Sequence, residues 1–255
     1  MIFNIYKQRG ETPLEALQKL KAAKPELKGE KMTYLGRLDP MAEGVLLIAT
    51  GLDTEQKRKE EFLSLDKEYD FTVLFGFSSD TYDILGEIKE ILPVIDLSES
   101  EIIKVIQIYV GERDQKYPPF SSKTVGGRAL HEWARIAELD KIVIPSRKIT
   151  IHKINFKGLQ KLLPKELLGR LLMDISKVKG DFRQHVALVL WKKFLENYHG
   201  SLYMGSFSAH VSSGTYIRSI VNDLGNTLGC GACALSITRT RVGDYKIEES
   251  LSLNE

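Results

Sequence analysis

The chain has 255 residues, of which 43% are hydrophobic, so it is long enough to bury an ordinary core as one large domain or two small ones. Its formal net charge of +2 creates no strong global field, and any nucleic-acid surface must come from local clustering of cations. Neither a signal-peptide segment nor a run of eighteen apolar residues occurs, which excludes a spanning helix. We therefore expect no membrane partner and a cytoplasmic location.

Hydrophobic periodicity, capping residues and glycine or proline stops predict alternating strands and helices. Two capping boxes begin helices, Thr12-Pro13-Leu14-Glu15 and Ser98-Glu99-Ser100-Glu101, and Gly229 ends a third helix. The predicted elements, in chain order, are a strand at 2–6, a helix from 13 to about 23, a loop at 36–40, strands at 45–49 and 69–75, a helix from 99 to about 110, a strand at 207–211 and a helix at 216–228.

Two stretches differ from the rest of the chain. Residues 111–148 hold eight basic and five acidic residues with interleaved aromatic rings, typical of an RNA-gripping arm, although an ordinary solvated surface segment is an equally simple interpretation. Residues 159–198 suggest helices, because apolar residues recur every four positions and predict one packed face. Those apolar residues are Phe182, Val186, Leu190, Phe194 and Tyr198.

The order of elements favours a mixed α/β or α+β sheet, because strands are separated by helices and several strands alternate in polarity. We find no internal repeat, low-complexity tract or linker, so we expect a single domain over residues 1–255 with insertions. The two cysteines, Cys230 and Cys233, have C-x-x-C spacing. A structural metal site needs four ligands, and a second ligand pair is hard to find among five scattered histidines, so we interpret both as small core or loop residues.

Asp39 is a candidate nucleophile, since it lies in a Gly-Arg-Leu-Asp-Pro loop just before a buried strand. The surrounding segment, Gly36 to Leu46, resembles the catalytic loop of the TruB family of pseudouridine synthases. Four further stretches resemble that family in the same order and spacing. They are Lys67-Glu68-Tyr69, Asp80 to Asp83 with Gly86, Pro118 to Arg135, and Gly214 to Arg218 continuing through 223–225, 228–232 and 239–240.

The resemblance implies a pseudouridine-synthase catalytic fold: a central, mainly antiparallel mixed sheet flanked by helices. It further implies a thumb-like RNA-binding insertion at about 112–147 and a helix-rich insertion at about 159–203. The implied reaction isomerises a flipped-out T-loop uridine of tRNA to pseudouridine without any metal or other cofactor. The expected partner is therefore RNA, the T-arm of tRNA, and we expect a monomer.

The resemblance also assigns roles to residues. Asp39 would be the nucleophile, Arg218 its cationic neighbour, which favours the ionised carboxylate, and Tyr69 the ring that stacks on the base. Ile237 would form an apolar wall of the same pocket, and Asp83 would hold the opened RNA or cap a turn. The candidate substrate-binding residues are Tyr34, Arg37, Asp83, Lys123, Arg128, Ile237 and Arg239.

This sequence departs from the family pattern at several positions. Tyr34 stands where most relatives carry a histidine that helps to open the RNA loop. Gln8, Phe120 and Thr238 also replace the usual residues. The sequence ends about ten residues after Tyr245, so we expect no C-terminal RNA-binding domain and expect the catalytic domain and its insertions to bind RNA.

Two other functions compete with this one, and a third possibility is a pseudouridine synthase that acts on another RNA. A carbohydrate hydrolase could use Asp39 as its nucleophile but would need a second carboxylate as general acid, and the sequence locates none. A non-catalytic RNA-binding or tRNA-folding module would be favoured if Asp39, Tyr69 or Arg218 were missing. All three residues are present.

Overall fold

A long mixed β-sheet forms the centre of the molecule. The computed structural model describes residues 1–91, 97–198 and 201–253. Its strands are β1 (Ile2–Lys7), β2 (Met32–Leu35), β3 (Ala42–Thr50), β4 (Lys67–Phe75), β5 (Phe77–Ser79), β6 (Ile88–Ile91), β7 (Gly111–Lys116), β8 (Thr124–Val125), β9 (Arg128–Ala129), β10 (Ser146–Leu162), β11 (Leu202–Val211), β12 (Ala232–Val242), β13 (Tyr245–Lys246) and β14 (Leu251–Ser252). Its α-helices are α1 (Pro13–Ala23), α2 (Gln56–Ser64), α3 (Glu99–Gln107), α4 (Leu130–Arg135), α5 (Pro164–Ser176), α6 (Gln184–Leu195) and α7 (Ile217–Thr227).

The main sheet has the order β14-β1-β3-β12-β4-β11-β10-β7, with β2 added to β3 and β13 added to β12. The pairs β1–β14 and β3–β12 are parallel, and the other pairs of this sheet are antiparallel. The expected mainly antiparallel mixed sheet is therefore confirmed. The β3–β12 contact matters for function, because it brings the segment after the Asp39 loop beside a strand from the far end of the chain.

Each predicted strand and each predicted helix is present, with bounds that differ by a few residues. The capping box of α1 forms as predicted: the Glu15 backbone N–H donates to Thr12 Oγ1 (3.2 Å), and Glu15 Oε2 accepts from the Thr12 N–H (2.7 Å). The second capping box, at Ser98, begins α3 in the same way. Residues 36–41 form no helix or strand, as predicted for the loop that carries Asp39.

Helices cover both faces of the sheet. Apolar residues of α1, α3 and α7 pack on one face against residues that include Phe71, Val73 and Phe207. On the opposite face α5 and α6 pack against Leu74, Met204 and other residues that alternate with the first set. Because both faces are covered near the middle of β4, three successive residues of that strand, 73–75, are buried.

The helix-rich stretch differs from the prediction. Residues 159–162 belong to β10, and α6 begins only at Gln184, so Phe182 precedes it. The buried row of α6 is Ala187, Trp191 and Leu195, one position after the predicted row, and Val186 is 43% exposed. Trp191 decides this orientation, because its indole packs on the Phe77 ring and its Nε1–H donates to the Ile84 carbonyl (2.9 Å). Residues 199–200 of the predicted insertion lie outside the described residues.

The cysteines are core residues, as the sequence analysis proposed. Cys230 is 8% exposed and packs in the core on the α7 face, whereas Cys233 is fully buried in the core on the α6 face. Burial raises the pKa of both thiols. They face opposite sides of the sheet, so they do not act together as a redox pair or as half of a metal site.

No α-helix among residues 1–91, 97–198 and 201–253 is both long and apolar enough to cross a membrane.

Candidate active site

The loop that carries Asp39 is fixed to the rest of the molecule by backbone hydrogen bonds. Arg239 is 2% exposed and donates from Nη1 to the Arg37 carbonyl (3.1 Å). On the other side of the loop, the Gly10 backbone N–H donates to the Pro40 carbonyl (2.8 Å). Gly10 has a φ of +93°, and a Cβ there would lie 2.5 Å from a backbone oxygen of residue 177. The carboxylate is therefore presented from a rigid loop.

Asp39 forms an ion pair with Arg218. The guanidinium Nε of Arg218 donates to Asp39 Oδ2 at 2.7 Å. The Arg218 side chain is only 4% exposed, whereas the Asp39 side chain is 38% exposed. The cation is thus buried behind a carboxylate that solvent or a substrate can still reach.

Arg218 is held by four groups. Besides Asp39, its guanidinium donates to the carbonyl of Thr81 and to the carbonyl of Phe120 (3.3 Å), and Asp83 Oδ2 lies 3.7 Å from its Nε. Burial by itself would lower the pKa of Arg218, but the charges of Asp39 and Asp83 raise it further than burial lowers it. The guanidinium therefore stays charged and fixed in orientation.

Asp83 lies behind Arg218, where only 5% of its surface is exposed. Its Oδ1 accepts hydrogen bonds from Thr81 Oγ1 (2.6 Å) and from the Leu85 backbone N–H (3.0 Å). Burial raises the pKa of Asp83, and the neighbouring Arg218 charge opposes that shift. These contacts cap the turn and orient Arg218, and Asp83 also lines the hollow beside Asp39.

Apolar side chains lie beside the candidate nucleophile. Ile237 is 7% exposed and lines a small hollow together with Asp39, whereas Tyr69 is 8% exposed and lies outside that lining. Arg239 pairs directly with Tyr69 across β12 and β4, so the residue that fixes the loop is also adjacent to the stacking candidate. In this structure the hollow has a volume of about 10 Å³, room for about one water molecule, so a nucleoside can enter only if its walls move.

The remaining candidate residues lie on more open surfaces. Arg37 is exposed on the Asp39 loop, and Tyr34 is half-buried on β2, where it packs against the core. Lys123 and Arg128 are exposed on the arm, where they lie over aromatic rings: Lys123 Nζ is 5.6 Å from the centre of Tyr117, and Arg128 Cζ is 4.8 Å from that of Trp133. Arg239, by contrast, is buried, so we assign it to holding the loop.

The arm folds as a small unit. Strands β8 and β9 form a hairpin whose turn, Gly126-Gly127, has positive φ at both residues, as a type I′ turn requires. The Trp133 indole N–H donates to the Val125 carbonyl (3.0 Å), and Leu130 is fully buried. The exposed cations thus sit on a folded support, and Phe120, within this arm, accepts a hydrogen bond from Arg218 through its carbonyl.

Arg147 is a basic residue that the sequence analysis did not single out. Its Nε is buried without a hydrogen-bond partner, and its guanidinium makes no ion pair with any residue that the structure describes. The Arg147 guanidinium lies against Gly214. A Cβ added to Gly214 would lie 1.7 Å from Arg147 Nη1. Burial and the charges of Arg239 and Arg147 lower the pKa of Lys67 to about 8, against the opposing charge of Asp66. Three cations thus lie near one another here, beside one carboxylate.

A larger hollow, of about 720 Å³, lies elsewhere, at the start of β1 and the end of β3. Four carboxylates line it together with a single arginine, Arg58. This surface would repel a polyanion, and none of the candidate catalytic residues lines it. The shallow hollow at Asp39 is the better candidate, because there a fixed carboxylate, a buried cation and apolar walls occur together.

A comparison with protein families gives a match to the TruB family pseudouridylate synthase N-terminal domain over residues 24–181. The chain belongs to the TruB family.

Individual TruB-family relatives match nearly the whole chain. The protein called tRNA pseudouridine synthase B in Thermotoga petrophila is 32% identical over 250 residues, which are 98% of this chain and 65% of that protein. The protein of the same name in Clostridium kluyveri is 31% identical over 253 residues, which are 99% of this chain and 70% of the relative. This chain therefore spans less than two thirds of the length of the Thermotoga protein.

Solved structures share the TruB fold. A structure described as a Cbf5-Nop10-Gar1 complex matches with a TM-score of 0.59 and 22% identity, covering 99% of this chain and 52% of that one. A structure of an H/ACA RNP bound to a substrate RNA containing 2′-deoxyuridine matches with a TM-score of 0.56 and 21% identity, covering 99% and 50%. At this identity the likeness concerns the fold alone.

The ion pairs of this TruB-family site can be tested without RNA. Replacing Arg218→Met should lower the free energy of unfolding by about 3–5 kcal/mol, because Asp83 would remain buried without its cation. Urea unfolding at pH 7 measures the change. Adding Asp83→Asn to that variant should recover part of the stability.

The matched control for this experiment is Arg135→Met. The Arg135 side chain is 43% exposed and pairs with the exposed Asp181, so its removal should cost less than about 1 kcal/mol. An equal effect of the two arginine substitutions would contradict the assigned role of Arg218.

Proposed function

We propose that this chain is a tRNA pseudouridine synthase that isomerises a flipped-out T-loop uridine with Asp39 as its nucleophile. The observation that carries the proposal is the 2.7 Å pair between the partly exposed Asp39 and the buried Arg218, in a chain of the TruB family. The names of the relatives, tRNA pseudouridine synthase B, support a tRNA substrate. We further propose that the chain acts as a monomer in the cytoplasm.

The reaction is an isomerisation whose atoms balance within the substrate. The bond between uracil N1 and ribose C1′ breaks, a bond between uracil C5 and C1′ forms, and the proton on C5 is lost while N1 gains one. Asp39 starts the reaction by attack at C1′, by attack at C6 or by a route through a glycal. In each route the Arg218 guanidinium fixes the orientation of the Asp39 carboxylate.

We propose that Tyr69 and Ile237 hold the uracil while it turns. An aromatic ring can stack on an extruded base, and an apolar wall excludes water from the intermediate. The hollow beside Asp39 has a volume of only about 10 Å³ in this structure. We propose that the target nucleotide opens it on entry, by displacing the side chains around the loop.

Extruding a uridine from a stacked RNA loop costs on the order of a few kcal/mol, which contacts elsewhere must offset. The exposed cations Lys123 and Arg128 lie over aromatic rings on the folded arm, an arrangement that suits RNA phosphates and unstacked bases. Through Phe120 the arm is bonded to Arg218. We propose that the arm grips the T-arm of tRNA and fixes its register relative to Asp39.

The rival enzyme function is not favoured. A carbohydrate hydrolase needs a second carboxylate that can donate a proton to the leaving group. The carboxylate that shares Arg218 with Asp39 is Asp83, and its two oxygens face donors from Thr81, Leu85 and the guanidinium itself. These contacts favour a role for Asp83 in orienting Arg218 over one as a proton donor.

The nucleophile can be tested with Asp39→Asn. We expect pseudouridine formation on a tRNA transcript to fall by at least about 10³-fold, because an amide cannot replace the carboxylate in bond formation. The dissociation constant for the transcript should change little, since Asp39 makes no contact with a phosphate in this proposal. Single-turnover assays and filter binding measure the two quantities.

The matched control is Asp244→Asn, since Asp244 is exposed and lies after β12, away from the loop. This variant should keep wild-type turnover. Turnover by Asp39→Asn at the wild-type rate would overturn the nucleophile assignment.

The arm can be tested through the salt dependence of RNA binding. Removing both cations with Lys123→Ala and Arg128→Ala should weaken tRNA binding. The slope of log K against log salt concentration should also become smaller, by about 1 for each phosphate that the arm no longer neutralises. Lys57→Ala, an exposed lysine on α2, is the control and should leave the slope unchanged. An unchanged slope in the double variant would show that the arm is an ordinary solvated surface.

Arg147 should contact a phosphate near the target nucleotide, because its half-buried guanidinium has a buried Nε without a hydrogen-bond partner among the residues that the structure describes. We expect Arg147→Ala to weaken tRNA binding about tenfold, in line with the removal of a charge-assisted hydrogen bond. The control is Lys148→Ala, which removes an exposed cation from the next position of β10. Equal effects of the two substitutions on the dissociation constant would argue against a specific phosphate contact.

A further inference from the structure

Two histidines and an aspartate meet on the sheet surface outside the candidate active site. They are Asp66, immediately before β4, His152 on β10 and His210 near the end of β11. One possible ligand atom from each residue lies within 4.8 Å of the others. His152 Nε2 is 3.1 Å and His210 Nε2 is 3.7 Å from Asp66 Oδ2.

A β-bulge creates the histidine pair. Strands β10 and β11 pair Ile151 with Val211 and then Lys153 with His210, so His152 is an extra residue in β10. A bulge places two residues opposite one and redirects a side chain. Here the imidazole rings of His152 and His210 come to a centroid distance of 4.6 Å.

The backbone of Asp66 is fixed by a hydrogen bond. The Gly243 N–H donates to the Asp66 carbonyl (2.9 Å), which fixes the residue between the end of β12 and the start of β4. His210 alternates with the buried Ala209 and Val211, so it projects from the opposite face of the sheet. Asp66, just before β4, and one histidine from each of β10 and β11 therefore bring three possible ligand atoms together on the surface.

The distances from the carboxylate oxygen to the two imidazole nitrogens match those between ligand atoms around a small cation. With metal–ligand bonds of about 2.0–2.1 Å, two ligand atoms of a tetrahedral ion lie about 3.3 Å apart. The two carboxylate–imidazole distances, 3.1 Å and 3.7 Å, lie on either side of that value. Two imidazoles and one carboxylate suit zinc, nickel, cobalt or copper, whereas magnesium and calcium prefer oxygen ligands alone.

We propose that Asp66, His152 and His210 form a site for a divalent transition metal of the zinc class. Three protein ligands leave at least one coordination position for water. A bound ion would link Asp66 to β10 and β11. Asp66 lies at the start of β4, three residues before Tyr69. The site does not depend on the proposed RNA chemistry, and its occupancy can be measured without RNA.

The test is isothermal titration of the full, untagged, chelator-treated chain with zinc chloride. We expect one saturable site per chain and no comparable response to magnesium chloride. His152→Gln and His210→Gln should each abolish saturable binding, and Asp66→Asn should weaken it. The matched control is His185→Gln, since His185 is an exposed histidine on α6 outside the cluster, and it should bind zinc like the wild type.

The ligands can also be identified in the wild-type chain, which avoids any dependence on the folding of the variants. X-ray absorption at the zinc edge should show two imidazole nitrogens with oxygen donors and no sulfur. Failure of the wild type to bind zinc would overturn the proposal. So would zinc binding by His152→Gln and His210→Gln that equals that of His185→Gln, because the cluster would then be an ordinary histidine–aspartate ion pair.

Discussion

The candidate site depends on one buried cation. Arg218 is almost completely removed from solvent, and a guanidinium in that position is tolerable only if each of its donors has a partner. Its partners come from distant parts of the chain: Asp39 on the loop, Thr81 and Asp83 between β5 and β6, and Phe120 within the arm. A single side chain thus joins the nucleophile to the arm proposed to bind RNA.

The burial of Arg218 explains why the two aspartates that contact it have different roles. Asp83 is buried and fully engaged, so it neutralises and orients the guanidinium. Asp39 contacts the same group but remains 38% exposed, so its second oxygen can reach a substrate. Two chemically identical side chains therefore have different roles because of their burial and hydrogen bonding, as in other sites where carboxylates share a cation.

The sheet supplies the rigidity that such an arrangement needs. Strand β12 pairs with β3, which follows the nucleophile loop, and with β4, which carries Tyr69. From β12, Arg239 reaches back to the loop backbone. Helices on both faces bury the middle of these strands, so the positions of the loop and the aromatic ring are linked through packed structure. The end of the sheet that is less covered carries the histidine–aspartate cluster, whose donors are exposed or half-buried.

Local sequence signals were sufficient to predict many of the strands and helices of this molecule. Strands with strict alternation, such as 69–75, and helices with capping boxes, such as the one that begins at Thr12, were predictable because their causes lie within a few residues. The loop position of Asp39 followed from Pro40 for the same reason. The assignment of Tyr69 and Arg218 to one site came from the family resemblance, and their catalytic roles stay predictions.

Tertiary structure alone decided the features that depend on contacts between distant segments. The four-residue repeat in the helical stretch could not show which row is buried, because adjacent rows are both apolar and the docking of Trp191 selects between them. The burial of Arg239 and the unpartnered guanidinium of Arg147 depend on neighbours far away in sequence. The meeting of His152 and His210, 58 residues apart in number, requires a bulge in strand pairing. Local patterns determine elements, whereas the register and packing of those elements determine which side chains share a site.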